Sequence, residues 1–428
     1  MIGFLYHIIK EKDRGNIMKP ELLKKRRENL GNLLNNGEII VIFGADEPTG
    51  INKYIQNNNF LYLTGLYTAH EAIYVCFKNQ DKVQEFLFIQ RNIPERIVWD
   101  GAKLYPEEAK EISGLSEIKY LDEFISLIMP YLQASKKLYI NSGSVGLDSP
   151  LNKPLFFISK VQERILHIDF AEANQVMMPL RQIKDKTEIE YLSKAIEITG
   201  FGLESIFKNA RSGMHEYELE AMLYYEMRRR GVSHFGFAPI IAGGKNATIL
   251  HYKENDNIIG KNDLVLCDVG ALYNNYSADI TRTFPITKGF NKRQKEVYSA
   301  VLDVQKTIIE MIKPGVSMTD LNKRTGELIG EACVKLKLLK DPADFRKYYM
   351  HSIGHHLGMD THDLGPRDSI LKEGMVITIE PGIYIPKENI GVRIEDDILV
   401  TKKGYKNLSA QIPKEIEELD EIRSKIEL

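Results

Sequence analysis

Tryptophan occurs once and cysteine three times in this chain of 428 residues, and its acidic and basic residues nearly cancel. Each scarcity removes a class of function. Cys76, Cys267 and Cys333 are odd in number and far apart, which fits neither a disulfide framework nor thiolate metal spacing and points to a reducing compartment, expected to be the cytoplasm. With 57 basic against 59 acidic residues the formal net charge is -2, so no broad field attracts nucleic acid or an anionic membrane. No run approaches the roughly 20 apolar residues of a membrane helix. Residues 1–9 are apolar only briefly, meet the charged run 10–14 and carry no cleavage pattern, so no signal peptide is read there. The true start stays open between Met1 and Met18. A G-x-S-x-G elbow is absent, and the cysteines lack the surroundings of a thiol-protease nucleophile.

What is present is a globular composition, 43% hydrophobic and 27% charged, in a chain long enough for two domains. After a helix pattern over 20–34, short β-rich runs at 39–43, 72–77, 85–89 and 138–140 alternate with helix-like segments, the pattern of an α/β layer domain over 18–179. The second domain, 180–428, opens on a helix that Asp185 caps. Glu188 stands three residues later as in a capping box, Ile189, Leu192, Ile196, Leu203 and Phe207 line one face, and Gly213 is expected to end it. A further helix over 215–230 leads into strands that reach Pro285. Helices over 291–312 and 317–338, then β runs over 376–380 and 391–401, repeat that order. Two α-then-β halves facing each other are expected, within an α/β (α+β) class.

Acidic residues interrupt the β runs of this second domain. In Leu264-Val265-Leu266-Cys267-Asp268-Val269 a carboxylate shares a strand face with Leu264 and Leu266, and an unpaired buried carboxylate is expensive. Ala278-Asp279-Ile280-Thr281 repeats the oddity, and the link 270–277 is long enough for the two strands to pair antiparallel. Two such charges in a dry site would raise one pKa strongly unless a cation neutralises both; hydrogen bonds from backbone amides or a salt bridge from Arg282 would also account for the pair. Glu380 ends the run Val376-Ile377-Thr378-Ile379, and alternation puts Arg393 and Glu395 on one face with Ile394 on the other. His355 sits in a stretch crowded with histidine and glycine, Met350-His351-Ser352-Ile353-Gly354-His355-His356. Four carboxylates and one imidazole suit two divalent cations of borderline to hard character.

These residues resemble the metallopeptidases of the pita-bread fold, which include methionine aminopeptidase, prolidase and aminopeptidase P. The resemblance rests on 264–285, 350–365, 377–386 and 391–399. Carried over, it implies that Asp268 binds one metal, that Asp279 and Glu395 bridge both, and that His355 and Glu380 complete the other. In the N-terminal domain Arg26-Arg27-Glu28-Asn29-Leu30, the run Asn59-Phe60-Leu61-Tyr62-Leu63-Thr64-Gly65 and the single Trp99 are similar to the first domain of aminopeptidase P, which methionine aminopeptidase lacks.

The resemblance implies hydrolysis of the bond before a proline by a metal-bridging hydroxide, with the metals also polarising the carbonyl, and Glu380 as general base. It gives His251, His351 and His362 to substrate binding or transition-state stabilisation, Tyr384 and Arg393 to support of the metal shell, and Trp99 to a wall of a neighbouring subunit's site in a homodimer or homotetramer. Read alone, each histidine is an ordinary surface or core residue, Arg393 balances Glu395 and Asp397, and Trp99 is a packed aromatic. Manganese is the expected metal, with cobalt, zinc or iron as alternatives. Peptides with proline at the second position are the expected partners. Proline's missing N–H and fixed ring exclude such peptides from ordinary clefts, and His251, His351 and Tyr384 are candidates to line the pocket that takes the ring. A prolidase confined to dipeptides is the near alternative, and a peptide-binding protein without catalysis is the alternative from another class.

Overall fold

Apolar residues at alternate positions of the N-terminal β runs give each strand one face that must be covered, and pairing the strands joins those faces into one. The computed structural model describes residues 18–48, 53–143 and 146–426, so the signal-peptide reading of the first residues lies outside the described part. The chain divides into two compact units, the first ending at Arg181 and the second beginning at Gln182.

The first unit runs α1 (Pro20–Leu33), β1 (Glu38–Phe43), α2 (Asn58–Thr64), β2 (Ile73–Asn79), β3 (Lys82–Ile89), α3 (Pro94–Asp100), α4 (Pro106–Ser113), β4 (Ile118–Tyr120), α5 (Phe124–Ala134), β5 (Lys137–Ile140), α6 (Lys153–Gln162), β6 (Asp169–Glu172) and α7 (Asn174–Gln182). Its strands form one sheet in the order β4-β3-β2-β1-β5-β6. On one face Ile39, Val41, Phe43, Val75 and Phe77 pack with Phe124 and Ile128 of α5 and Phe157 and Val161 of α6. The edge strands β4 and β6 are short and only half-buried, which is why no apolar run announces them. Arg27, expected only as part of a family signature, is buried. It donates to the carbonyls of Leu63 and Ser113, both at 2.9 Å, and pairs with Glu85 at 3.0 Å. One guanidinium thus satisfies carbonyls at the C-terminal ends of α2 and α4, where the helices leave them unpaired.

The second unit runs α8 (Lys186–Asn209), α9 (Glu216–Arg228), β7 (Ile240–Gly243), β8 (Leu264–Val269), β9 (Leu272–Tyr273), β10 (Tyr276–Ser277), β11 (Ile280–Pro285), α10 (Lys292–Glu310), α11 (Met318–Lys335), β12 (Val376–Ile379), β13 (Gly382–Ile385), β14 (Ile390–Arg393), β15 (Asp396–Val400), β16 (Tyr405–Asn407) and α12 (Ile416–Ser424). A helix pair followed by strands occurs twice, with sheets ordered β11-β8-β7 and β12-β15-β16 and two-stranded pairs β9–β10 and β13–β14. Among the described residues no helix is long and apolar enough to cross a membrane.

Two departures from the sequence expectation have tertiary causes. Helix α8 starts as read, with the Glu188 N–H donating to Asp185 at 3.0 Å, but it ends at Asn209, before Gly213. Arg423 of α12 supplies the stop, donating to the carbonyls of Phe207 at 2.7 Å and Ala210 at 3.1 Å. The run 391–401 is two strands, not one. Between them the Ile394 N–H donates to Pro381 O at 3.3 Å and the Glu395 N–H to Thr281 O at 3.0 Å, so both leave the ladder.

Replacing Arg27 with methionine strips a buried cation from Glu85 and leaves two helix-end carbonyls unpaired. A loss of about 3–5 kcal/mol is expected, read as a fall in the denaturant midpoint of the N-terminal unit, while Lys24→Met on the exposed side of α1 is expected to change it little.

Candidate metal centre

Each acidic residue of interest stands where a strand begins, ends or breaks. Asp268 is near the end of β8, opposite Thr281 of β11; Asp279 immediately precedes β11; Glu380 separates β12 from β13; and Glu395 separates β14 from β15. His355 lies in the irregular stretch before β12, its N–H donating to Thr378 Oγ1 at 3.1 Å. Donor atoms of Asp279, His355 and Glu395 lie within 4.8 Å of one another. His355 Nε2 is 3.3 Å from Asp279 Oδ2 and 3.7 Å from Glu380 Oε1, and the carboxyls of Asp268 and Asp279 are in hydrogen-bonding reach of each other. The structure therefore brings all five together.

Hydrogen bonds fix how these groups point. His355 Nδ1 faces the His356 carbonyl at 3.0 Å; a carbonyl only accepts, so the proton sits on Nδ1 and the Nε2 lone pair is turned to the carboxylates. Arg393 is the cation at the centre: Nη2 donates to Asp268 at 2.7 Å, Nη1 to the Tyr384 hydroxyl at 3.0 Å and Nε to Thr281 Oγ1 at 3.1 Å. Thr281 in turn donates to Glu395 Oε2 at 2.6 Å. Tyr384, accepting from Arg393, donates to His351 Nε2 at 2.8 Å, while His351 Nδ1 donates to the Ser352 carbonyl at 2.8 Å.

One guanidinium does not balance four carboxylates. Burial first, then the charge of Asp268, pushes Asp279 well above the usual carboxylate range. Burial and the charges of Asp279, Glu380 and Asp268 do the same to Glu395. Burial raises Glu380 to about 7 despite the opposing effect of His355 and Arg393. Asp268 Oδ1 is buried without a hydrogen-bond partner. An oxygen-rich donor set short of positive charge, with one imidazole lone pair aimed inward, fits divalent cations.

The remaining four candidates are placed differently. The His362 ring lies 4.3 Å from that of His355, nearly perpendicular, and is exposed; partial burial, then the neighbouring His355, lowers its pKa. His351 is pushed down to about 4 by burial and then by Arg393, with His251 also contributing. His251 is exposed, on a loop that buried Glu216 holds by accepting from the Gly243 N–H at 2.7 Å, Asn246 Nδ2 at 3.0 Å, the Tyr252 hydroxyl at 2.6 Å and the Asn257 N–H at 3.0 Å. Trp99 lies on α3 of the first unit, 85% exposed. Sequence reading overlooked Glu216 and Thr281, and it gave Asp397 only to charge balance with Arg393, whereas its Oδ2 accepts the Asp279 N–H at 3.2 Å. Period two from Asp279 would have reached Thr281, and from Glu395 it would have reached Asp397; nothing marks Glu216 off from an ordinary acid in a first helical turn. The bland reading of Asp268 as a partner of Arg282 does not hold, because Arg282 pairs with Asp396 at 2.8 Å. All three cysteines are buried, and burial raises their thiols, Cys76 to about 12 and Cys333 to about 11, so none is a nucleophile at neutral pH.

The sequence pattern of metallopeptidase family M24 matches residues 190–402, and that of the aminopeptidase P N-terminal domain matches 23–139. The chain is 32% identical to the Xaa-Pro aminopeptidase of Haemophilus influenzae over 95% of its own length and 97% of the relative's. It is 35% identical to the Xaa-Pro dipeptidase of Pyrococcus furiosus over 72% of this chain and 85% of that one. Escherichia coli aminopeptidase P, solved with the inhibitor Pro-Leu, superposes with a TM-score of 0.87 at 29% identity, over 95% of this chain and 99% of the other. A carboxylate and histidine centre in a duplicated α-then-β unit, behind an aminopeptidase P-type first domain, makes this chain a member of the aminopeptidase P family of metallopeptidases, with its pita-bread fold.

Proposed function

We propose that this protein is a dinuclear-metal aminopeptidase that hydrolyses the bond between an N-terminal residue and a following proline, with the N-terminal domain over 18–179 and the catalytic domain over 180–428. The observation that carries the reading is the convergence of Asp279, His355 and Glu395, flanked by Asp268 and Glu380, in a chain related along nearly its whole length to a Xaa-Pro aminopeptidase. In this reading Asp268, Asp279, His355, Glu380 and Glu395 would hold the two ions. Two divalent ions, when bound, polarise the scissile carbonyl and acidify a water molecule. Manganese is proposed, with cobalt, zinc or iron able to occupy the same donors.

The protein's own groups do the rest. Glu380 would take up the proton of the attacking water on a free oxygen. His351, kept neutral by burial and fixed on both nitrogens, holds its ring as one wall of the proline pocket beside Tyr384. His251 and His362 are exposed and hold the peptide where charge develops on the carbonyl oxygen. Trp99 is assigned to the peptide site of a neighbouring subunit in a homodimer or homotetramer; its exposure, shared with Val98 on the same short helix, supports a contact of that kind. The scattered, unpaired cysteines support a cytoplasmic setting. The likeness to a Xaa-Pro dipeptidase favours a second reading, a prolidase with the same centre and a closed far end.

Hydrolysis of Arg-Pro-Pro and of Ala-Pro with manganese, and after chelation, separates the two. Metal-dependent release of arginine from the tripeptide is expected, reduced by about three orders of magnitude or more in Asp279→Ala; cleavage of the dipeptide alone would establish the prolidase. Arg393→Lys cannot span Asp268, Tyr384 and Thr281 at once, and manganese affinity measured by calorimetry is expected to fall about ten- to hundredfold. Protons and metal compete for the raised carboxyls. Glu380, Asp279 and Glu395 have folded pKa values above their unfolded ones, so without metal they favour the fold when protonated and cost it stability as pH rises through about 7 for Glu380. The rise in Tm on adding manganese is therefore expected to be larger at pH 8 than at pH 5; an equal rise at both would contradict this electrostatic account.

A further inference from the structure

Glu380 and Glu395 both stand at breaks in the β ladder: Ile379, before Glu380, closes β12 opposite Asp396, and Ile394, before Glu395, lies between β14 and β15. The carbonyls of these two fully buried residues can each accept more than one hydrogen bond. A single side chain from another element meets both. Gln305, fully buried on α10, donates from Nε2 to Ile394 O at 3.1 Å and to Ile379 O at 3.4 Å. Its amide cannot turn over, because Lys414 Nζ lies 2.9 Å from Oε1, and an ammonium demands the oxygen. Lys414 also pairs with Asp396, the residue after Glu395. Arg282 donates from Nη1 to the Glu395 carbonyl at 2.6 Å, and the Glu395 N–H goes to Thr281 O at 3.0 Å. The backbone of Glu395 is thereby held on three sides, and Gln305 ties the two breaks together alongside the Ile394 N–H to Pro381 O bond at 3.3 Å and the pairing of Ile379 with Asp396.

We propose that Gln305 is a positioning residue of the metal centre: one carboxamide, locked in orientation by Lys414, braces against each other the two backbone segments that carry Glu380 and Glu395. The inference rests on the metal-centre reading above. Gln305 touches none of the five proposed ligand side chains and acts only through the peptide groups behind two of them. Its loss would let the two glutamates drift apart, and both the affinity for metal and the geometry of the proton acceptor would suffer.

Gln305→Glu keeps the shape and the partner for Lys414 but removes both donors and turns an oxygen toward two carbonyls. Calorimetric titration of metal-free protein with manganese is expected to give about ten- to hundredfold weaker binding than wild type. With saturating manganese, kcat for Arg-Pro-Pro is expected to fall while KM stays within about twofold, since no ground-state contact to the peptide is lost. Should that variant not fold, Gln305→Met keeps the volume without a buried charge and is expected to show the same two losses. Manganese affinity and kcat equal to wild type in either folded variant would overturn the proposal, as would a wild type that binds no manganese. A wild type that binds manganese but leaves Arg-Pro-Pro intact would count against the peptidase reading alone, and the titrations would still decide the role of Gln305.

Discussion

Four carboxylates gathered beside one imidazole, mostly out of water, repel one another, and the second unit is built around holding them in spite of that repulsion. At a few ångströms and an effective dielectric of about 20, each pair of like charges costs on the order of several kcal/mol. Protons relieve the strain by neutralising the acids, which is why Asp279, Glu395 and Glu380 are all raised. Divalent cations relieve it without removing the charges and turn the repulsion into a binding energy. Arg393 alone relieves only part of it, through Asp268, and its other nitrogens go to Tyr384 and Thr281.

The backbone solves the placement. Side chains on a continuous strand alternate between faces, and three of the four acids, Asp279, Glu380 and Glu395, stand where strands begin or break. Breaks expose peptide groups, and each exposed group here finds a partner on another element: the Glu380 N–H on Ile353 O at 2.8 Å and the Glu395 N–H on Thr281 O at 3.0 Å, and the Asp279 N–H on Asp397. Behind this layer Arg282 and Asp396, both fully buried, form an ion cluster with the partly buried Lys414. Burial would raise Asp396, but Arg282 and Lys414 outweigh it and hold that carboxyl well below the usual range. Neighbouring acids of one short run, Glu395, Asp396 and Asp397, therefore serve three tasks: facing the metal site, neutralising two cations and fastening Asp279. Identical chemistry is given different work by environment alone.

Much of the fold was legible along the chain. The capping box at Asp185 and Glu188, the apolar faces of α8 to α11 and the apolar runs of β1, β2, β8 and β12 are local signals, and local signals survive in sequence because the residues that make them are adjacent. The edge strands β4 and β6 lacked such signals, and the end of α8 was misplaced at Gly213 because its stop is Arg423, more than two hundred residues away. Among the candidate residues the acids were conspicuous, since carboxylates in apolar β runs demand an explanation. Thr281 and Asp397 were within reach of the same alternation.

The sequence by itself determined which residues carry charge into an apolar setting, their order along the chain and the pairing of β8 with β11, because periodicity and short loops decide those things locally. Only the tertiary structure decided that Asp268 belongs to Arg393 and not to Arg282, that His355 offers Nε2 because its Nδ1 is held by His356, and that Gln305, Glu216 and Arg423 matter at all. Each of these depends on a polar group meeting a backbone or side-chain partner far away in the chain. A buried hydrogen bond has no periodicity for a sequence to display, so the partners become known only when folding has excluded water and left each polar group to be satisfied.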